Sequence, residues 1–144
     1  MTAKYSIAAN KPLAILHVTM WGFFVMADVD CFTRDLKLAL ADLNAMPNQH
    51  RMLCDLRQMK IQAQDIVAAF GAIVGSADVR SRRLAVVTGK SLVRNQAIRL
   101  IDREGVSYFD TIESARRWLR EQDLNDAALL RRNVGRLSVV REFR

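Results

Sequence analysis

Cysteine is scarce in this chain, with only Cys31 and Cys54 and neither in a CxxC or Cys/His arrangement. A zinc site needs about four Cys, His or acidic ligands at short spacing, so no metal is expected. Cys54 lies in an apolar run and reads as a buried reduced thiol, which makes the cytoplasm the default compartment. Histidine is equally rare. His17 falls mid-strand among apolar neighbours and reads as a core residue, whereas His50 follows a turn and is expected at the surface. No GxSxG motif, paired carboxylate or Cys/His dyad is present, so no catalytic residue is assigned, and neither an enzyme nor a cofactor is expected. The chain also lacks internal repeats and low-complexity linkers.

No apolar run is long enough to span a bilayer as a helix. The longest, Leu13 to Ala27, follows Lys4 and Lys11 and superficially resembles a signal peptide, with Val25-Met26-Ala27 as a conceivable cleavage site. His17, Thr19 and Gly22 interrupt it, and its β-branched and aromatic content suits a buried strand better.

What is present is an ordinary globular composition: 144 residues, 51% hydrophobic and 26% charged. That is enough chain for one domain with a two- or three-layer core. The net charge of +7 is unevenly placed. Residues 1–79 carry 7 basic and 7 acidic side chains, and residues 80–144 carry 15 against 8. Such a bias suits an acidic partner, a membrane surface or nucleic acid, although a solvated surface is the commoner explanation.

Apolar periodicity gives the elements. Lys4–Ala9 forms a short strand, Asn10-Lys11-Pro12 a turn, and Leu13–Phe24 a long strand apolar on both faces. From Asp28, read as the N-cap, Val29, Phe32, Leu36, Leu40 and Leu43 define a helix to about Ala45. Arg51–Arg57 is a strand. Gln64–Gly75 is a helix whose Gly71 and Gly75 suit close packing on the sheet. Leu84–Thr88 is a strand and Ser91–Glu104 a helix with Gly105 as its C′ residue. Val106–Phe109 is the last strand, and Asp110-Thr111-Ile112-Glu113 resembles a capping box opening a helix on Ala115, Trp118 and Leu119. The order β-β-α-β-α-β-α-β-α predicts an α/β domain on a mixed sheet of about five strands.

The domain is expected to occupy residues 1–122, with residues 123–144 as a C-terminal helix and basic tail. Leu137, Val139, Val140 and Phe143 give that tail a strand's worth of apolar surface, which needs an edge to rest on. It is expected to dock on its own domain or on a twin subunit as a homodimer.

This order, with Cys54-Asp55-Leu56 on a central strand, Leu84-Ala85-Val86-Val87 on the next and Phe109…Ala115…Trp118-Leu119 at the end, resembles the SpoIIAA-like family of small STAS-type domains. Gly22 followed by a helix at Asp28 resembles that family's strand–Gly–helix opening. The resemblance spans roughly Leu13 to Leu119 and implies a fold shared with anti-sigma-factor antagonists and the cytoplasmic domain of sulfate transporters. In STAS antagonists a phosphorylatable serine opens the helix after the central strand. The corresponding stretch here, Gln58 to Asp65, holds no Ser or Thr, so no hydroxyl is available for that switch.

Thr88-Gly89-Lys90-Ser91 ends a strand and opens a helix, as a phosphate-binding loop does. A P-loop needs a second glycine five residues before Gly89, and that position is Leu84. Anion binding by the helix N-terminus and Lys90 is the more plausible reading. Asp55, Arg57, Thr88, Gly89, Lys90, Ser91 and Asp110 would gather at the carboxyl ends of the strands, where open α/β sheets bind ligands. Trp21, Phe24 and Phe70, with Phe23 and Met26, are candidates for an apolar pocket under the Gln64–Gly75 helix.

The sequence therefore favours a non-enzymatic binding or regulatory module, acting through a protein partner or a small apolar or anionic ligand. A small hydrolase using Asp55, Lys90 and Ser91 is the alternative from a different class. Nucleic acid is a less favoured partner, because Asp123, Asp126 and Glu142 dilute the arginine-rich end and no reading motif is present.

Overall fold

The computed structural model describes residues 2–43, 48–89, 92–101, 103–122 and 124. Its elements run β1 (Lys4–Asn10), β2 (Ile15–Gly22), α1 (Met26–Leu43), β3 (Arg51–Met59), α2 (Gln64–Gly75), β4 (Arg83–Val87), α3 (Leu92–Leu100) and β5 (Val106–Phe109). A fourth helix, α4, follows over residues 112–122. The five strands form one sheet in the order β1-β2-β3-β4-β5. β1 pairs antiparallel with β2, and β2 to β5 run parallel. The carboxyl ends of β2, β3, β4 and β5 therefore share one edge of the sheet, and the connecting helices cross back over its faces.

The two-residue period of the strands sorts the core. Leu16, Val18, Met20, Met52, Leu84 and Val86 face one side and pack with Val29, Phe32 and Leu36 of α1 and Ile66 of α2. Leu53, Ala85 and Val87 face the other side, against Ala115 and Leu119 of α4. Apolar residues on both faces of β3 and β4 thus serve two separate layers. Each fully buried aliphatic side chain there contributes about 1.5–3 kcal/mol.

Several boundaries differ from the sequence reading, each for a local reason. α1 begins at Met26, not Asp28. Asp28 sits inside the first turn and its carboxylate accepts the Val25 N–H at 2.9 Å, reaching back to the cap from within. β3 continues two residues past Arg57 to Met59. Its register against β2 slips between Thr19 and Trp21, which face Asp55 and Gln58. This bulge shifts the alternation, so Met59 returns to the side of Met52, Cys54 and Leu56. α3 stops at Leu100, not Glu104. The Tyr108 hydroxyl lies 3.0 Å from the Ala97 carbonyl and 2.7 Å from that of Ile101, supplying a side-chain partner at the helix end. α4 is capped by Thr111, whose Oγ1 accepts the Ser114 N–H at 3.1 Å, and not by the Asp110–Glu113 pair. Gly71 packs on another helix instead of the sheet: a Cβ there would lie 2.7 Å from Leu100 of α3, whereas Gly75 faces open space.

No helix among the described residues is long and apolar enough to cross a membrane. The expected docking of residues 125–144 lies outside the described residues.

Two predictions follow from the amino edge of the sheet. Gly105 has φ +85° and a Cβ there would meet the Arg82 carbonyl at 2.7 Å. Gly105→Ala should cost about 1–3 kcal/mol in urea unfolding, because neither the backbone angle nor the carbonyl can give way cheaply. A neutral result would show that the contact between the Arg82 carbonyl and the turn at Gly105 yields easily.

His50, expected at the surface, is instead 5% exposed, with Nε2 3.1 Å from the Val79 carbonyl. Burial pushes its imidazole below the ordinary 6.5, the Val79 carbonyl pulls it up, and Arg103 pushes it down. The folded state therefore holds His50 neutral and binds fewer protons than the unfolded state below pH 6.5. Stability should be full above about pH 6.5 and fall as the solution is acidified through that value. His50→Gln should flatten that limb of a midpoint-versus-pH curve; an unchanged limb would assign it elsewhere.

Candidate functional site

The carboxyl edge is assembled around one side chain that the sequence reading did not single out. Gln62, in the β3–α2 loop, is 7% exposed. Its Oε1 accepts the Phe24 N–H at 2.8 Å, and its Nε2 donates to the Gly22 carbonyl at 3.0 Å. The same amide nitrogen also donates to the Lys60 carbonyl. Gln96 of α3 grips the Gln62 backbone from the other side, donating to its carbonyl at 3.1 Å and accepting its N–H at 3.2 Å. One glutamine thus ties the loops after β2 and β3 to each other and to α3. The sequence signal was faint: a lone polar residue between exposed Ile61 and the start of α2.

α2 begins at Gln64 with Ala63 at its N-cap, which offers no side-chain cap; within the first turn Asp65 Oδ1 accepts the Ile66 N–H at 3.0 Å. The place where a serine or threonine would ordinarily sit is therefore filled by a methyl group.

Beneath α2 and α3 is a cavity of about 100 Å³, lined almost wholly by carbon. Met20, Phe32, Cys54, Phe70, Ile73 and Val93 are among its walls. Cys54 is on β3 with its thiol protonated, because burial first and the Asp55 charge second push it up to about 12. Of the three residues proposed for an apolar pocket, Phe70 lines this cavity. Phe24 is fully buried and stands edge-on to Phe70, with ring centres 5.4 Å apart. Trp21 does not belong to the cavity: strand alternation puts it on the opposite face from Met20.

The polar residues grouped at the strand ends are divided into local pairs. Asp55 and Arg57 form a two-pronged ion pair, with Nε to Oδ1 at 2.9 Å and Nη2 to Oδ2 at 2.8 Å. β4 ends opposite Asp55. Just beyond, where the register with β2 slips, the Arg57 backbone N–H is taken by Asp55 Oδ1 at 3.2 Å. Burial pushes the Asp55 carboxyl up, but the Arg57 guanidinium and N–H outweigh it and hold it below the usual carboxylate range. The pair therefore fastens the bulge. Thr88 is buried at the end of β4, and its N–H and that of Gly89 reach the Phe109 carbonyl at 3.0 and 3.4 Å. Asp110 pairs with Arg94 of α3 at 3.2 Å. Lys90 and Ser91 lie outside the described residues.

The same edge carries exposed apolar side chains. Phe23, Val25 and Met26 follow β2, Ile61 follows β3 and Leu92 opens α3, with exposures from 41% to 65%. They come from three successive connections and surround the Gln62 knot.

No protein-family model and no curated protein matches the chain. Solved structures do. An uncharacterised protein of the DUF3478 family with a SpoIIAA-like fold, from Shewanella loihica, superposes with a TM-score of 0.61 at 16% identity, covering 81% of this chain and 93% of the other. An anti-sigma factor antagonist from Mycobacterium paratuberculosis gives 0.59 at 12% identity, covering 83% and 95%. The anti-sigma factor antagonist SpoIIAA in its unphosphorylated form gives 0.56 at 11%, covering 81% and 98%. The chain has a SpoIIAA-like fold, and the resemblance read from its sequence was to that class. At such identities the likeness establishes the fold and leaves the activity to the site.

Replacing Gln62 by Ala removes the partner of the buried Phe24 N–H and loosens the Gly22 and Lys60 carbonyls. An orphaned buried donor of this kind costs about 1–3 kcal/mol, so Gln62→Ala should lower the urea midpoint accordingly. A cost within about 0.5 kcal/mol, typical of surface changes, would mean that the loops are held by other contacts.

Proposed function

We propose that this chain is a non-enzymatic binding module that recognises a protein partner with the loops at the carboxyl edge of its sheet. The observation that carries this reading is the apolar rim of Phe23, Val25, Met26, Ile61 and Leu92, gathered from three connections at one edge. Exposed apolar groups concentrated in this way mark interaction surfaces, whereas singly scattered ones do not. Two of the structural neighbours are anti-sigma factor antagonists, whose name denotes action on another protein. Gly89 and Asp110 would form the polar border of the same surface. Ala63 at the α2 N-cap leaves no hydroxyl to phosphorylate there, so recognition would not be switched at that position. A hydrolase built on Asp55 is disfavoured because its carboxylate is already committed to Arg57.

A second reading has its own observation. The carbon-lined cavity beneath α2 is of a kind that excludes water and accepts a compact apolar guest. A small apolar ligand there would fill space beside Phe70 and Cys54 and stiffen the helix over the partner-binding edge.

A photoactivatable amino acid placed at Ile61 or Leu92 in the native host should yield the same single protein adduct from both positions. The control at Leu38, exposed on α1, should not yield it. Phe23→Asp should abolish the adduct without changing the circular dichroism spectrum. Identical adducts at Leu38, or none at either rim position, would refute the docking edge.

A further inference from the structure

Among the described residues, α4 is the helix that covers the second face of the sheet, and it covers only half of it. α4 lies over β3, β4 and β5, with Ala115, Trp118 and Leu119 against Leu53, Ala85, Val87 and Phe109. Along the flank of α4, facing the β1–β2 hairpin, runs a groove of about 610 Å³. This lies within the size range of small-molecule sites. Its floor is apolar, built from Ala8, Ile15, Leu53 and Leu119, while its α4 wall carries Arg116, Arg117 and Arg120.

These three guanidiniums come from one turn of one helix, and none forms an ion pair among the described residues. Among the described residues, Glu113 is the only acid lining the groove. It also lies close enough to Arg57 to act on that residue's charge. The wall therefore keeps a cationic surplus above a hydrocarbon floor, a combination that neither a bare phosphate nor a neutral hydrocarbon satisfies fully.

We propose that this groove binds a small amphipathic anion, its apolar body on Ala8, Ile15 and Leu53 and its carboxylate or phosphate on Arg116 and Arg120. The site lies on the opposite face of the sheet from the α2 cavity and away from the carboxyl-edge rim, so it does not depend on either. A nucleic acid would meet the arginines but has nothing to place on the floor.

His17 lines the inner part of the groove and supplies a reporter. Burial first, and Arg116 second, hold its imidazole below the ordinary value. From β3, Asp55 raises it and Arg57 lowers it further; Glu113 faces the groove from α4. An anion seated on Arg116 cancels part of that repulsion, so His17 should titrate at higher pH when the groove is occupied.

The full chain is titrated calorimetrically with octanoate, octyl phosphate, 1-octanol and inorganic phosphate, and His17 is followed by NMR. The expected result is saturable binding of octanoate and octyl phosphate. Octanol and inorganic phosphate should bind at least tenfold more weakly, and His17 should titrate higher with octanoate bound. Arg116 and Arg120 are exposed, so the double variant R116Q/R120Q should keep its melting temperature and lose at least tenfold in octanoate affinity. Octanol binding as well as octanoate would place the guest in the α2 cavity and overturn the proposal. Undiminished binding by the double variant overturns it, and so does absence of octanoate binding. A short DNA duplex that binds through these arginines while octanoate does not would overturn it in favour of a nucleic-acid surface.

Discussion

The carboxyl edge depends on the side-chain amide of Gln62. A buried primary amide must find partners for both its oxygen and its nitrogen, and here they come from Phe24, Gly22 and Lys60. Meeting that requirement fixes the separation of two loops that are far apart in sequence. Gln96 extends the constraint to α3. The apolar rim and the upper wall of the cavity follow from this arrangement, because the residues that form them leave directly from the fastened segments.

A second constraint is the bulge in β3. Once the register with β2 slips, the Arg57 N–H needs a new acceptor, and Asp55 supplies it while pairing with the Arg57 side chain. Two charged residues in the middle of a central strand look like chemistry when seen as a list. In place, they satisfy a backbone irregularity. The arginines of α4 differ in that no ion pair holds them among the described residues, and they line a groove on the second face of the sheet. Charge that already has a partner stabilises the fold, and charge without one is available to a ligand.

Much of the architecture was legible because local periodicity carries it. The alternation in Leu16, Val18 and Met20, and the stripe of Val29, Phe32 and Leu36, each reveal a buried face with no knowledge of what covers it. The limits of α2 and β5 coincided with the sequence reading. The end of β3 was misplaced because the bulge resets the alternation, and a period-two reading cannot pass through a slip. The end of α3 was misplaced because Tyr108, eight residues past Leu100, takes the last carbonyls. His50 looked exposed because it follows a turn, yet its ring is enclosed beside Val79.

The sequence by itself determined the order of strands and helices, the two-sided burial of the central strands and the missing hydroxyl at the start of α2. Each of these is a property of neighbours along the chain. Only the tertiary structure decided that Gln62 and Gln96 meet and that Trp21 turns away from Phe70. It likewise decided that Asp55 closes on Arg57, and that a groove beside α4 is walled by three arginines. Those outcomes depend on which segments cross which face, and on a one-residue slip in register. Both are set by packing between distant parts of the chain.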